Sequence, residues 1–303
     1  MSRIYDALQR ADQERRAAQG ADVAETAEPF AIPAVEEPSP ADRDFVFDAV
    51  TLRPWVPSMD SLPTLGDNGD SIEQFHGLRS QIYQYRDQAP LKTILISSGM
   101  PAEGKTFVAA NLAMSLARNK NNKVLLIDAD LRRPVLHTTL GAPITPGLTE
   151  YLAGTAEVSE IMQRNQNPRI IEDGRVRHIP NLTFIPAGSG GNNLLELVAN
   201  HRIEELVGVL SPHFDWILID SPPVLAFADA IDLARAADAV LLVARAATTP
   251  FDVAQRAQAA FSSSRILGFV LNAVRDAPRN SSYYYYGRQE DGRPSKGRKD
   301  KRR

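Results

Sequence analysis

Residues 93–106 read TILISSGMPAEGKT, and residues 107–118 continue FVAANLAMSLAR. A run of β-branched and aliphatic residues gives way to a short loop with glycine at both ends, then to an amphipathic segment, which predicts strand, loop and helix in that order. The loop from Gly99 to Thr106 has the spacing G-x-x-x-x-G-K-T. Each residue type there has a physical use. The glycines let main chain wrap closely around a polyphosphate, and consecutive N–H groups of Gly99, Pro101-Ala102-Glu103, Gly104 and the helix start through Phe107 face its charge, proline lending only its shape. Lys105 reaches the outer phosphates, and Thr106 offers a hydroxyl to Mg²⁺. A glycine-containing turn before a helix is the plain alternative, and the strand-loop-helix context weighs against it.

Outward from this loop, short apolar runs alternate with helical segments: KVLLID, LTFIPAG, a helix around Leu194 to Leu210, DWILID, ADAVLLVA, a helix from Phe251, and RILGFVLNAV. Strands of nearly continuous Val, Ile and Leu are covered on both faces. The fold class that follows is α/β, a doubly wound, mostly parallel sheet.

Two of these strands end in acids. One closes Ile127-Asp128-Ala129-Asp130-Leu131-Arg132-Arg133, the other Trp216-Ile217-Leu218-Ile219-Asp220. Carboxylates at the carboxyl ends of parallel strands project into the crevice where such sheets bind ligands. Asp128 and Asp130 at alternate positions can hold Mg²⁺ or accept a hydroxyl proton, and Asp220 fits the carboxylate that orients Mg²⁺ or its water. A cap of the following helix is the plain reading of Asp130. Arg132 and Arg133 read equally as phosphate or subunit contacts and as a solvated pair. Together the three motifs predict nucleotide and Mg²⁺ binding but leave the acceptor open: water gives an ATPase switch, a hydroxyl gives a kinase.

The 303 residues are 43% hydrophobic and 23% charged, which excludes a polyelectrolyte, and they contain no cysteine, which excludes disulfides and thiolate chemistry. No window approaches a membrane span, and the charged start MSRIYDALQRADQERR has no apolar signal core, so a cytoplasmic chain is expected. The histidines His137, His178, His201 and His213 lack metal-ligand spacing. The net charge of -3 conceals two opposed ends. Residues 21–70 carry eleven acids against Arg43 and Arg53, whereas residues 287–303 carry eight bases against three acids. The expected organisation is a short helix over 1–18 and an acidic linker with seven prolines over 19–70. A catalytic domain follows over 71–276, opening on a helix capped by Ser71, and a flexible tail spans 277–303. Within the linker Phe45, Phe47 and Trp55 could dock locally. No nucleic-acid motif accompanies the basic tail.

These motifs resemble those of the bacterial tyrosine autokinases, or BY-kinases, that accompany capsule and exopolysaccharide export. The resemblance covers residues 71–286 and rests on SSGMPAEGKTFVAANLA, VLLIDADLRRPVLH, PGLTEYLAG, LTFIPAGSGGNNLLELV, DWILIDSPPV and a tyrosine cluster after GFVLNAV. The opening MSRIYDALQRAD further resembles the cytoplasmic, separately encoded kinases of exopolysaccharide operons. The resemblance implies a P-loop NTPase domain using ATP and Mg²⁺, with Lys105 and Arg132 toward the nucleotide and Thr106, Asp128 and Asp220 toward the metal. Lys105, Asp128, Asp130 and Asp220 would form the catalytic set, with Asp128 or Asp130 nearest the attacking tyrosine. Tyr283, Tyr284, Tyr285 and Tyr286, between Asn280-Ser281-Ser282 and Gly287, would be the acceptors, phosphorylated in trans within a homo-oligomer. Glu73 and Arg79 match a helical E-x-x-R-x-x-R interface motif, while His76 stands where the motif has an arginine whose planar fork imidazole does not reproduce. Implied partners are the cytoplasmic segment of a membrane polysaccharide co-polymerase, or chain-length determinant, which would recruit the chain to the inner membrane, and a cognate phosphotyrosine phosphatase. Two other readings compete: a deviant P-loop ATPase switch that positions a partner, and a non-catalytic nucleotide-binding adaptor. Ser97-Ser98-Gly99-Met100 lacks the extra lysine of the deviant ATPases, and the full set Lys105, Thr106, Asp128, Asp130 and Asp220 argues against the adaptor.

Overall fold

The computed structural model describes residues 50–66, 69–167, 169–172, 175–178, 181–190 and 201–274, all within the chain's second unit, residues 45–303. The expected helix over 1–18, the linker up to residue 49, residues 194–200 of the helix expected from Leu194, and the tail over 277–303 with its four tyrosines lie outside the described residues.

Among the described residues ten strands occur: β1 (Thr51–Arg53), β2 (Thr93–Ser98), β3 (Val124–Asp128), β4 (Gln163–Asn165), β5 (Arg169–Glu172), β6 (Arg175–His178), β7 (Leu182–Ile185), β8 (Trp216–Asp220), β9 (Ala239–Arg245) and β10 (Ile266–Asn272). β5 and β6 pair antiparallel with each other. The remaining eight form one sheet in the order β1-β4-β7-β3-β8-β2-β9-β10. Every pairing in it is parallel except β4 with β7. The doubly wound, mostly parallel sheet is therefore the architecture found.

Its helices are α1 (Asp70–Gln88), α2 (Lys105–Ala117), α3 (Leu136–Leu140), α4 (Leu148–Leu152), α5 (Val158–Ile161), α6 (Arg202–Leu210), α7 (Asp229–Leu233) and α8 (Phe251–Ala260). Because strand side chains alternate, each strand feeds two cores. Ile94, Ile96, Val124, Leu126, Leu218 and Leu241 pack with Phe75 and Ile82 of α1, Val108 and Leu112 of α2, and Leu136 of α3. Leu95, Leu125, Ile127, Ile217, Ile219 and Val240 pack on the opposite face with Leu148 of α4, Leu206 and Leu210 of α6, Leu233 of α7 and Ala257 of α8. Both faces of the central strands are thus dry, as their unbroken apolar runs require.

The linker expected over 19–70 does not extend across residues 50–66, which belong to the fold. β1 adds an edge strand beside β4. Trp55 is buried, packs edge-on against Phe184 at 6.1 Å, and donates its indole N–H to Gln163 Oε1 at 3.1 Å. Leu62 and Leu65 are buried in the α2 core, and the fully buried Asn111 amide accepts from the Thr64 hydroxyl and donates to the Ser61 carbonyl. Prolines and acids separate these few anchors, yet four buried groups suffice to hold the strap. Helix α1 begins at Asp70 with Gly69 as its N-cap and no side-chain cap, so Ser71 sits inside the first turn rather than before it.

In this order β3, β8 and β2 are neighbours, so their carboxyl ends converge. Asp128 and Asp220 are direct partners in the β3–β8 ladder, and the loop after β2 lies one strand away.

Candidate active site

The loop between β2 and α2 is braced from three sides. Glu103 is buried; its carboxylate accepts the Met100 N–H at 2.7 Å and the Thr249 hydroxyl. Asn272 donates to the Glu103 carbonyl at 2.9 Å, and Arg245 donates to the Ala102 carbonyl at 3.2 Å. Gly104 has φ +92°, and a Cβ there would meet the Asn272 amide nitrogen at 2.0 Å. Glycine is needed at that point for both reasons. At Gly99 a Cβ would press on Val253 of α8 at 3.0 Å. The Glu103 side chain therefore shapes the loop from behind, and the expected ligand contacts of residues 99–104 reduce to main chain. Phe107 is half-buried and packs its ring against the core, 6.0 Å from Phe75.

Lys105 opens α2 and reaches across the crevice. Its ammonium donates to Asp130 Oδ2 at 2.7 Å and stands 3.9 Å from Asp220 Oδ1 and 3.3 Å from the Thr106 hydroxyl. Asp130 Oδ1 accepts the Arg133 N–H at 3.1 Å within the turn before α3, rather than capping that helix, while its other oxygen serves the lysine. Asp128 Oδ2 accepts the Leu136 N–H that opens α3 at 3.2 Å. Sequence reasoning named Lys105, Thr106, Asp128, Asp130 and Asp220, and the structure brings all five together.

Three buried carboxylates around one ammonium leave the pocket short of positive charge. Burial, then the negative charges of Asp220 and Asp130, push Asp128 well above the usual carboxylate range against the Leu136 N–H and Lys105. Burial raises Asp220 to about 6, opposed by Lys105 and the Thr106 hydroxyl. Burial pulls Lys105 downward, but Asp220, Asp130 and Asp128 together outweigh it and hold the ammonium above its ordinary value.

Asp128 Oδ1 and Asp220 Oδ1 are buried and accept no hydrogen bond. Buried orphan acceptors are costly unless a cation or donor meets them. Among the described residues no group of three or more His, Asp or Glu is arranged to hold a metal by itself. An all-oxygen set of two carboxylates and a hydroxyl suits Mg²⁺, which characteristically completes its shell with phosphate and water.

Arg132 is half-buried and held by a carboxylate rather than standing free in solvent beside Arg133. Its guanidinium forks onto Asp229 (Nε to Oδ2, 3.0 Å; Nη2 to Oδ1, 3.5 Å) and lies 4.5 Å over the Phe227 ring, while Arg133 is exposed. Of the two expected interface residues, Glu73 is exposed, and Arg79 turns inward to donate to the Ser115 carbonyl at 2.7 Å. Sequence reasoning missed Thr249, Arg245 and Asn272 as braces of the loop and Asp229 as the partner of Arg132. Position was the available signal for Arg245 and Asn272, which end β9 and β10, whereas Thr249 lies in the loop after β9 and Asp229 opens α7. A separate cleft of about 790 Å³, bordered by Arg86, Lys92, Glu204, Arg235 and Asp238, lies at the opposite end of β2 and holds none of these groups.

The family described as AAA domain matches residues 91–251. Tyrosine-protein kinase YwqD of Bacillus subtilis is 33% identical over 221 residues, 72% of this chain and 87% of that protein. Tyrosine-protein kinase wzc of Salmonella typhimurium is 30% identical over 259 residues, 80% of this chain but 34% of that protein, so the chain spans about a third of that relative's length. The solved kinase domain of Escherichia coli tyrosine kinase ETK superposes with a TM-score of 0.59 at 31% identity, covering 72% of this chain and 80% of that one. A braced phosphate loop facing paired strand-end aspartates, in a sheet shared with these proteins, places the chain in the bacterial tyrosine kinase family.

Proposed function

We propose that the chain is an ATP- and Mg²⁺-dependent protein tyrosine autokinase that phosphorylates its own Tyr283 to Tyr286 between subunits and thereby regulates exopolysaccharide or capsule polymerisation and export. The observation that carries the reading is the convergence of Lys105, Asp128, Asp130 and Asp220 beside the phosphate loop, with two buried carboxylate oxygens that accept no hydrogen bond. Membership in the tyrosine kinase family supplies tyrosine as the acceptor class.

Phosphoryl transfer asks the protein for positioning and charge neutralisation rather than covalent chemistry. The main-chain N–H groups of residues 102–107 hold the polyphosphate, and the rigid bracing by Glu103, Asn272 and Arg245 fixes their aim. Lys105 neutralises the outer phosphates, exchanging its contact with Asp130 for one with the nucleotide. Thr106, Asp128 and Asp220 would hold Mg²⁺, which when bound neutralises charge on the phosphate oxygens. Asp128, at the carboxyl end of β3 beside Asp220, is the carboxylate assigned nearest the attacking tyrosine hydroxyl, which it would orient. Asp130, committed to Lys105 and the Arg133 N–H, positions rather than accepts.

The tyrosine cluster sits in a basic tail, and each modification adds about -1.5 to -2 charges, enough to reverse the tail's sign after a few events. The proposed partners are the cytoplasmic segment of a membrane polysaccharide co-polymerase, a second copy of this chain, and a phosphotyrosine phosphatase; the proposed location is the cytoplasm, with recruitment to the inner membrane through the first partner. No described helix is long and apolar enough to cross a membrane. A mixing experiment tests transfer between subunits: a Lys105→Met chain should acquire phosphotyrosine from an intact kinase lacking residues 277–303. Labelling only within an intact chain would overturn the trans reading.

A further inference from the structure

Arg132 lies in the same turn as Asp130, the carboxylate that holds Lys105, and its side chain is 27% exposed. Asp229, 5% exposed, takes the Nε–H and one Nη2–H of the guanidinium, and Phe227 covers one of its faces. A guanidinium has five N–H donors. Those of Nη1 engage no hydrogen-bond acceptor among the described residues. Ion pairs at this level of exposure contribute little to stability, and ordering an arginine costs side-chain entropy. The return is a donor edge aimed in advance, on a loop of β3 that is tied to the adjoining loop of β8. The pocket has use for such a donor: among the described residues Lys105 is the cation that pairs with Asp130 and Asp220, and a triphosphate adds further negative charge.

We propose that Asp229 and Phe227 are positioning residues that clamp Arg132 so that its Nη1 edge meets the terminal phosphate of a nucleoside triphosphate. The proposal rests on the nucleotide-binding reading above and extends it to two residues outside the three sequence motifs. It predicts discrimination between triphosphate and diphosphate that depends on the pair rather than on either charge alone.

The test is calorimetric binding of ADP and of a non-hydrolysable ATP analogue, each with Mg²⁺, to the full chain and to Asp229→Asn, Arg132→Lys and the double variant. Each single substitution should weaken the triphosphate analogue about tenfold and change ADP binding by less than about twofold, and the double should be no weaker than the worse single. Phe227→Leu, which removes the stack and keeps the ion pair, should shift the same ratio by a smaller factor, and circular dichroism establishes that each variant is folded. Equal weakening for both nucleotides, additive losses in the double variant, or no loss at all would each overturn the clamp. Failure of the intact chain to bind either nucleotide overturns the nucleotide reading together with the clamp.

Discussion

Replacing Asp220 by asparagine should stabilise the nucleotide-free protein, and by more as the pH rises. The Asp220 carboxyl is 1% exposed, and burial lifts it from 3.8 to about 6 despite Lys105 and Thr106. A carboxyl whose folded value lies above its unfolded value contributes stability that is complete below 3.8 and is lost as the pH rises through about 6. At about 1.4 kcal/mol per pH unit, the ionised group costs about 3 kcal/mol by pH ~8 and roughly half of that at pH ~5. The neutral amide keeps the shape and carries no titrating charge. Urea unfolding of both proteins at pH values from about 5 to about 8 reads the difference directly as a change in midpoint at constant slope. The stability gap should widen by about 1.5 kcal/mol across that range, and saturating Mg²⁺ and nucleotide should reverse its sign, because the wild-type carboxylate then gains a cation that the amide binds poorly. A gap that does not change with pH, or an asparagine variant less stable than wild type at every pH, would refute the reasoning that burial, not pairing, dominates this carboxylate.

Other consequences are equally open to measurement. Because Asp128 and Asp220 hold protons above the usual carboxylate range, binding of Mg²⁺ and nucleotide should release protons near pH ~6, so that affinity rises with pH and the calorimetric enthalpy varies with buffer ionisation. A buffer-independent enthalpy there would contradict it. Glu103→Ala removes the acceptor for the Met100 N–H and the Thr249 hydroxyl; it should cost about 1–3 kcal/mol of stability and loosen nucleotide binding, both readable by denaturation and calorimetry. Trp55→Ala should cost about 3–5 kcal/mol in urea unfolding. A chain starting after Gly66 should unfold below the wild-type midpoint, because it lacks Trp55, Leu62 and Leu65.

What the sequence disclosed and what it withheld have the same physical origin. The phosphate loop and the strand-end acids are local in sequence, and a parallel strand covered on both faces leaves a continuous apolar run, so β2, β3, β8 and β9 and the five central site residues were legible. The strap over 50–66 was not, because its anchors have partners far away: Trp55 bonds to Gln163 and Asn165, and Thr64 to Asn111. The three-residue strand β4, Gln163-Arg164-Asn165, which lies between β1 and β7, carries no apolar alternation at all. Pairing also decided side-chain roles that residue type alone misassigned. Glu103 looked like a ligand contact but turns inward, Arg79 looked outward but bonds to α2, and Arg132 gains its geometry from Asp229, 97 residues away.

The central claim is that this pocket transfers phosphate to tyrosine. The direct measurement incubates the purified chain with ATP and Mg²⁺, with and without the cytoplasmic segment of a polysaccharide co-polymerase, and maps phosphotyrosine by mass spectrometry. The account predicts label on Tyr283 to Tyr286 that disappears in Lys105→Met and Asp128→Asn. ATP hydrolysed under both conditions with no label on those four tyrosines would contradict it and leave an ATPase in its place.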